Sequence, residues 1–181
     1  MKNFDFIKKL AEVIPAFHQL HAYCDKAEIF QKAFPEESAA NARKALEWLV
    51  KNHLAMANVT LAPHENLNNM LKRPQIDAFI NEDWEFEQNM RTVKKIGNYA
   101  AHTGAQQVKA NEAFICLRAL FYVATGFLYR WQAIRKMLAF DATLIPQDFT
   151  QIHASDNSEP TVSLDLTDHV SSEAINHPEP P

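Results

Sequence analysis

Glycine is nearly absent from this chain, which has only three among its 181 residues. Glycine-rich phosphate-binding loops are missing, because neither a GxGxxG nor a GxxxxGK[ST] pattern occurs. Apolar residues instead recur every three or four positions, a spacing that buries one face of a helix. The sequence therefore predicts an all-α fold.

Cysteine and long apolar runs are also scarce. Cys24 and Cys116 lie in apolar helical stretches and form no CxxC pair, so neither a disulfide framework nor a zinc ribbon is expected. The longest apolar run, residues 119–128, is about half the length that spans a bilayer. The polar first residues do not resemble a signal peptide. We therefore expect a cytoplasmic protein with buried thiols and no membrane partner.

Positive charge is absent from residues 147–181, which contain seven acidic residues and no Lys or Arg. This Ser-, Asp- and Pro-rich segment is predicted to be a disordered acidic tail or linker. The rest of the chain carries all 18 Lys and Arg and the remaining 15 of the 22 acidic residues, so its net charge is +3. A mildly basic body permits anionic partners without requiring them.

Helical periodicity and breaker residues divide the body into segments joined by short connections, which favour antiparallel neighbours. The predicted fold is an antiparallel bundle of four main helices with short accessory helices. The main helices are expected at about residues 16–33, 35–53, 83–101 (starting near Asn81 or Asp83) and 111–138, and the accessory helices at 6–14, 67–72 and 76–80.

The most unusual segment is KKIGNYAAH, residues 94–102. Gly97 costs about 1 kcal/mol in a helix interior relative to alanine, and the Asn98 side chain competes for backbone hydrogen bonds. Asn98 and His102 are four residues apart and share a helical face, with Lys94 and Lys95 close to it. The run therefore presents cations, an amide and an imidazole together. A structural interpretation is a close helix crossing at Gly97.

Two other groups extend this candidate site. Arg43 and Glu47, four residues apart on one helix, form a candidate ion pair. Arg118, in the apolar last helix, would add a permanent cation if it faces the same crevice. His102 beside a fixed cation can act as a general base or bind a phosphate. His18 and His21 are three residues apart on one helix and could share a metal, but no acidic or thiol third ligand is placed by spacing, so no metal and no cofactor is expected.

Several segments share a pattern with one family: RKALEWLV at 43–50, NLNNML at 66–71, KKIGNYAAH at 94–102, and residues 113–121. Together with the edges at residues 3–6 and 140–146, they make the chain resemble a helical domain of bacterial defence proteins. That domain is best known at the N-terminus of the R (restriction) subunits of type I restriction endonucleases, and it also occurs alone. The resemblance covers roughly residues 3–146.

The resemblance implies a HEPN-like helical bundle in a type I restriction-modification or related antiviral system. The chain would be the N-terminal domain of an R subunit, part of a site-specific deoxyribonuclease, or a stand-alone relative. Its implied partners are other restriction-system subunits or downstream motor domains, DNA or RNA, and a second copy of the chain. Implied binding residues are Arg43, Glu47, Lys94, Lys95, Asn98 and Arg118.

Three functions remain open from the sequence. The first is a non-catalytic accessory module of such a defence system. The second is a HEPN-like, metal-independent ribonuclease or toxin with His102 as its base. Active HEPN ribonucleases carry an arginine a few residues before their catalytic histidine. In this chain Lys95 takes that place, with six residues between it and His102. Lysine cannot make the bidentate phosphate contact of an arginine. The third is a purely structural dimerisation bundle.

Overall fold

The computed structural model describes residues 2–101 and 107–146. Within these ranges the chain forms helices and no strand, so the predicted all-α fold is confirmed. The predicted acidic tail, residues 147–181, lies outside the described residues. The helices are α1 (Asp5–Val13), α2 (Phe17–Phe30), α3 (Pro35–Met56), α4 (Leu67–Met70), α5 (Pro74–Ile80), α6 (Trp84–Ala101) and α7 (Ala110–Arg130), followed by a 3-10 turn (Ala142–Leu144).

Helix α3 is the centre of the bundle and packs against α2, α6 and α7. The C-terminal part of α6 contacts the N-terminal half of α3 at Gly97, and the start of α6 contacts the end of α7 where Phe86 meets Gly126. These contacts make helix α6 antiparallel to both neighbours. The buried side chains form one continuous core from Phe4 to Ile145.

Helix α7 is apolar on most sides because it is enclosed. Among the described helices it alone has the length and composition to cross a membrane, but 67% of its apolar window is buried inside the bundle. Such burial is typical of the core helix of a soluble protein.

The predicted end of the last helix, near Leu138, is wrong. Helix α7 ends at Arg130, and Gln132 follows in the left-handed region with φ of 60°. The Gln132 N–H donates to the Tyr129 carbonyl at 2.9 Å, and the Ala133 N–H donates to the Leu128 carbonyl at 2.8 Å. These two bonds form a Schellman motif, which usually places glycine at the left-handed position. Because glutamine and not glycine stands at this position, the sequence did not indicate that the helix ends there.

A buried joint ties both ends of the described body to α2. The Asn3 backbone N–H and side-chain amide donate to Glu28 Oε1 at 2.9 and 2.8 Å. The Asn3 amide also donates to the Asp141 carbonyl at 2.9 Å, and the Asp141 N–H donates to Asn3 Oδ1 at 2.8 Å. Glu28 is fully buried, and its Oε2 has no hydrogen-bond partner among the described residues. Burial raises the pKa of Glu28, although the hydrogen bonds from Asn3 oppose the shift.

The joint should make stability depend on pH through Glu28. The folded state holds the Glu28 proton more tightly than the unfolded chain does. This difference stabilises the folded protein fully below about pH 4.5, the ordinary pKa of a glutamate. The stabilisation is lost as the pH rises through the raised pKa of the folded state. Each unit of that shift contributes about 1.4 kcal/mol. Glutamine has no such proton but keeps an oxygen acceptor for Asn3. Urea unfolding at pH 4.5 and pH 8 should therefore show wild type losing stability relative to Glu28→Gln at the higher pH.

Glu12→Gln is the matched control, because it removes an exposed carboxyl from α1. The difference in unfolding free energy between wild type and this control should be the same at both pH values. A Glu28→Gln variant that parallels wild type across the range would contradict a buried titrating joint.

Candidate functional site

Gly97 lies at a close approach between α3 and α6. A β-carbon at this position would collide with Arg43 Cβ and come within 3.0 Å of the Ala39 carbonyl oxygen. The predicted close helix crossing is therefore confirmed. The glycine brings the α6 residues around it against the α3 residues around Arg43.

Arg43 connects the two helices at this crossing. Its Nε donates to Asn98 Oδ1 at 2.8 Å, and its Nη1 lies 3.9 Å from Glu47 Oε2. Lys51 Nζ lies 2.7 Å from the other oxygen of the same carboxylate. The predicted pairing of Arg43 with Glu47 is thus observed, with Asn98 as an additional partner. A guanidinium has five N–H donors, so donors remain for a ligand.

The two lysines of the unusual run have different surroundings. Lys94 Nζ donates to Asn68 Oδ1 at 2.8 Å and so links α6 to α4. Lys95 is exposed, as is Lys44 on α3. No hydrogen bond or ion pair involves either of these two lysines within the described ranges. Their ammonium groups are therefore available to an anionic partner.

These side chains form one basic surface across the α3–α6 crossing. Positions three, four or seven apart share a helical face, and the Arg43–Asn98 bond joins the faces of the two helices. The side chains named below comprise six cations and two carboxylates, and the exposed Glu36 and Glu37 lie seven residues before Arg43 and Lys44 on α3, so this side of the two helices has a net charge of +2. We call it the basic surface: Arg43, Lys44, Glu47 and Lys51 of α3 with Glu87, Arg91, Lys94, Lys95 and Asn98 of α6.

No contact that the structure describes joins two of the predicted site residues to this surface. Arg118 is exposed on α7, and among the described residues no hydrogen bond or ion pair links it to Arg43 or Asn98. The structure therefore brings together five of the six predicted binding residues without Arg118. His102, the predicted base, lies outside the described residues, and its catalytic role stays a prediction.

A cleft of about 310 Å³ opens next to the basic surface, between α4, α5 and α6. Glu87, Arg91 and Lys94 belong to both features, and Arg91 Nε donates to Glu87 Oε1 at 2.9 Å. The sequence interpretation missed this cleft because its other walls come from two short helices that lack a strong apolar period. The residues that line the cleft are Asn68, Leu71, Lys72, Asp77, Ile80, Glu87, Met90, Arg91 and Lys94.

The two thiols do not offer a nucleophile. Cys24 and Cys116 are both buried, as predicted. Burial raises the pKa of both thiols, that of Cys116 to about 12. The thiolate is the reactive form of cysteine, so neither residue supports thiol chemistry at neutral pH.

No family model, curated protein or solved structure matches the chain. The resemblance to the restriction-subunit domain therefore rests on the sequence segments alone.

Proposed function

We propose that the chain is a non-catalytic interaction module that binds nucleic-acid backbones through the basic surface. The observation that carries this proposal is the grouping of six cations across the α3–α6 crossing, two of which, Lys44 and Lys95, are exposed and unpaired within the described ranges. Lys and Arg that contact phosphates release condensed counterions, and this release dominates the affinity of non-specific nucleic-acid binding.

The geometry of Arg43 supports the same function. Its side chain is 27% exposed and is held by Asn98 on the neighbouring helix. A guanidinium ordered in this way loses less conformational entropy when it contacts a phosphate than a free side chain does. The helix crossing therefore provides a positioned cation, and Lys44 and Lys95 add two exposed cations on the same two helices.

The biological setting that we propose follows from the sequence resemblance. The module would act in the bacterial cytoplasm, in a type I restriction-modification or related defence system. There it would hold DNA or RNA near other restriction subunits or motor domains. Contacts with such subunits and a second copy of the chain are part of this proposal.

Charge reversal on the basic surface tests the binding function. The double variant Lys44→Glu/Lys95→Glu should bind a fluorescently labelled oligonucleotide roughly tenfold more weakly than wild type in low salt, because it loses two phosphate contacts and adds repulsion. Fluorescence anisotropy measures the dissociation constants. Both lysines are exposed and unpaired within the described ranges, so the fold should be unaffected.

Lys8→Glu/Lys9→Glu is the matched control, since it makes the same charge change on α1, which packs against α2. It should leave the dissociation constant within about twofold of wild type. Equal weakening by both double variants would mean that net charge, not this surface, determines binding. RNA cleavage by wild type that is lost in His102→Ala would contradict a non-catalytic module.

A further inference from the structure

The cleft beside the basic surface combines an apolar floor with a charged rim. Met90 is only 2% exposed, and Leu71 and Ile80 are partly buried against the core. Lys72, Arg91 and Lys94 contribute three cations to its lining, and Asp77 and Glu87 contribute two carboxylates, of which Glu87 pairs with Arg91. This arrangement suits a ligand with a flat apolar body and an anionic group beside it.

Two polar groups in the cleft have complementary hydrogen-bonding capacity. Asn68 Oδ1 already accepts from Lys94, which leaves the Asn68 amide as a donor. Asp77 has an exposed carboxylate with no side-chain hydrogen bond or ion pair within the described ranges, so it is an available acceptor. The Watson–Crick edge of every base carries at least one donor and one acceptor, and duplex pairing occupies both.

We infer that the cleft binds one unpaired base of a single-stranded nucleic acid. The base packs on the aliphatic floor, its edge faces Asn68 and Asp77, and Arg91 and Lys94 hold the flanking phosphates. The volume of about 310 Å³ is at the small end of ligand sites, which limits the occupant to about one nucleotide. This inference rests on the proposed function, because Arg91 and Lys94 also belong to the basic surface.

The first experiment compares three ligands at one salt concentration. These are a short single strand, the same strand with abasic sugars, and its duplex. The hydrogen bonds that the base edge makes with Asn68 and Asp77 should make the intact strand bind about tenfold more tightly than the abasic one. Duplex binding should be weaker than single-strand binding as well.

The outcomes of this comparison show whether the inference fails alone or together with the proposed function. Equal affinity for intact and abasic strands would overturn base binding and leave phosphate binding by the basic surface intact. Failure of all three ligands to bind would overturn both. Displacement of the strand by a free nucleoside monophosphate at similar concentration would overturn a strand as the occupant.

The second experiment removes the two polar groups of the cleft. Asn68→Ala/Asp77→Ala should lower the ratio of intact to abasic affinity from about ten toward one, because the base edge loses both partners. Asn69→Ala/Glu12→Ala is the matched control, since both residues are exposed and lie outside the cleft. The control should keep the wild-type ratio. Lys44→Glu/Lys95→Glu should lower both affinities and leave the ratio unchanged.

Circular dichroism should show the same helical content for every variant. An Asn68→Ala/Asp77→Ala protein that folds normally and keeps the wild-type ratio would overturn the inference. Crosslinking with a thiouridine-containing strand gives an independent readout, because the modified peptide should contain residues of the cleft. Crosslinks confined to α1 or α2 would also overturn it.

Discussion

Leucine in place of Gly97 should lower the free energy of unfolding by about 3 kcal/mol. Even a β-carbon at this position would overlap Arg43 Cβ and press on the Ala39 carbonyl. Neither neighbour can withdraw easily, because one is the first carbon of a side chain and the other is helix backbone. The larger leucine must therefore push α3 and α6 apart, and overpacking of this kind costs about 1 to 3 kcal/mol or more. Urea unfolding measures the change.

Lys95→Leu provides the comparison, because it places the same side chain two residues earlier on an exposed part of α6. Its free energy of unfolding should stay within about 0.5 kcal/mol of wild type. Gly97→Ala should be less destabilising than Gly97→Leu, since the overlap is smaller and alanine favours a helix. A Gly97→Leu protein as stable as Lys95→Leu would show that the crossing is not close.

Alanine in place of Arg130 should destabilise the protein by about 2 to 3 kcal/mol. Arg130 Nη2 donates to Asp83 Oδ2 at 2.8 Å, and Nη1 donates to the Phe79 carbonyl at 3.2 Å. Its guanidinium carbon lies 4.2 Å from the centre of the Phe86 ring and 5.2 Å from that of Phe79. The cation–π contacts contribute about 1 kcal/mol, and a charge-assisted hydrogen bond to a carbonyl contributes about 1.5 kcal/mol or more. The ion pair adds little because both side chains are partly exposed.

The effect of Arg130 extends to the start of α6. Asp83 Oδ1 accepts from the Phe86 N–H at 2.9 Å and so caps this helix, while its other oxygen is held by Arg130. Arg118→Ala is the matched control, because it removes an exposed arginine from the same helix. Thermal unfolding of both variants measures the difference, and Arg118→Ala should change the midpoint very little. Equal shifts for the two variants would argue against the network around Arg130.

Local features of the fold could be predicted from the sequence. Helical periodicity identified the main helices, and Asp83 was one of two predicted starts for α6, which begins at Trp84. The Arg43–Glu47 pair follows from a spacing of four residues on one helix. Gly97 indicated a close crossing because a glycine inside a helix is unfavourable without a packing reason.

Features that depend on tertiary packing could not be predicted in the same way. Arg43 and Asn98 are 55 residues apart, and no local pattern indicates that they meet. The cleft needs two short helices to fold back on α6, and their order along the chain does not fix that position. The end of α7 was missed because the usual signal is a glycine and Gln132 stands there instead.

The most direct test of the account is the salt dependence of binding to a labelled single strand. If Arg43, Lys44, Lys94 and Lys95 each contact one phosphate, the logarithm of the association constant should fall against the logarithm of salt concentration with a slope of about −3. The Lys44→Glu/Lys95→Glu variant should have a slope shallower by about 1 or more, and Lys8→Glu/Lys9→Glu should keep the wild-type slope. Absence of binding by wild type at low salt, or a slope that is the same in all three proteins, would contradict nucleic-acid binding by the basic surface.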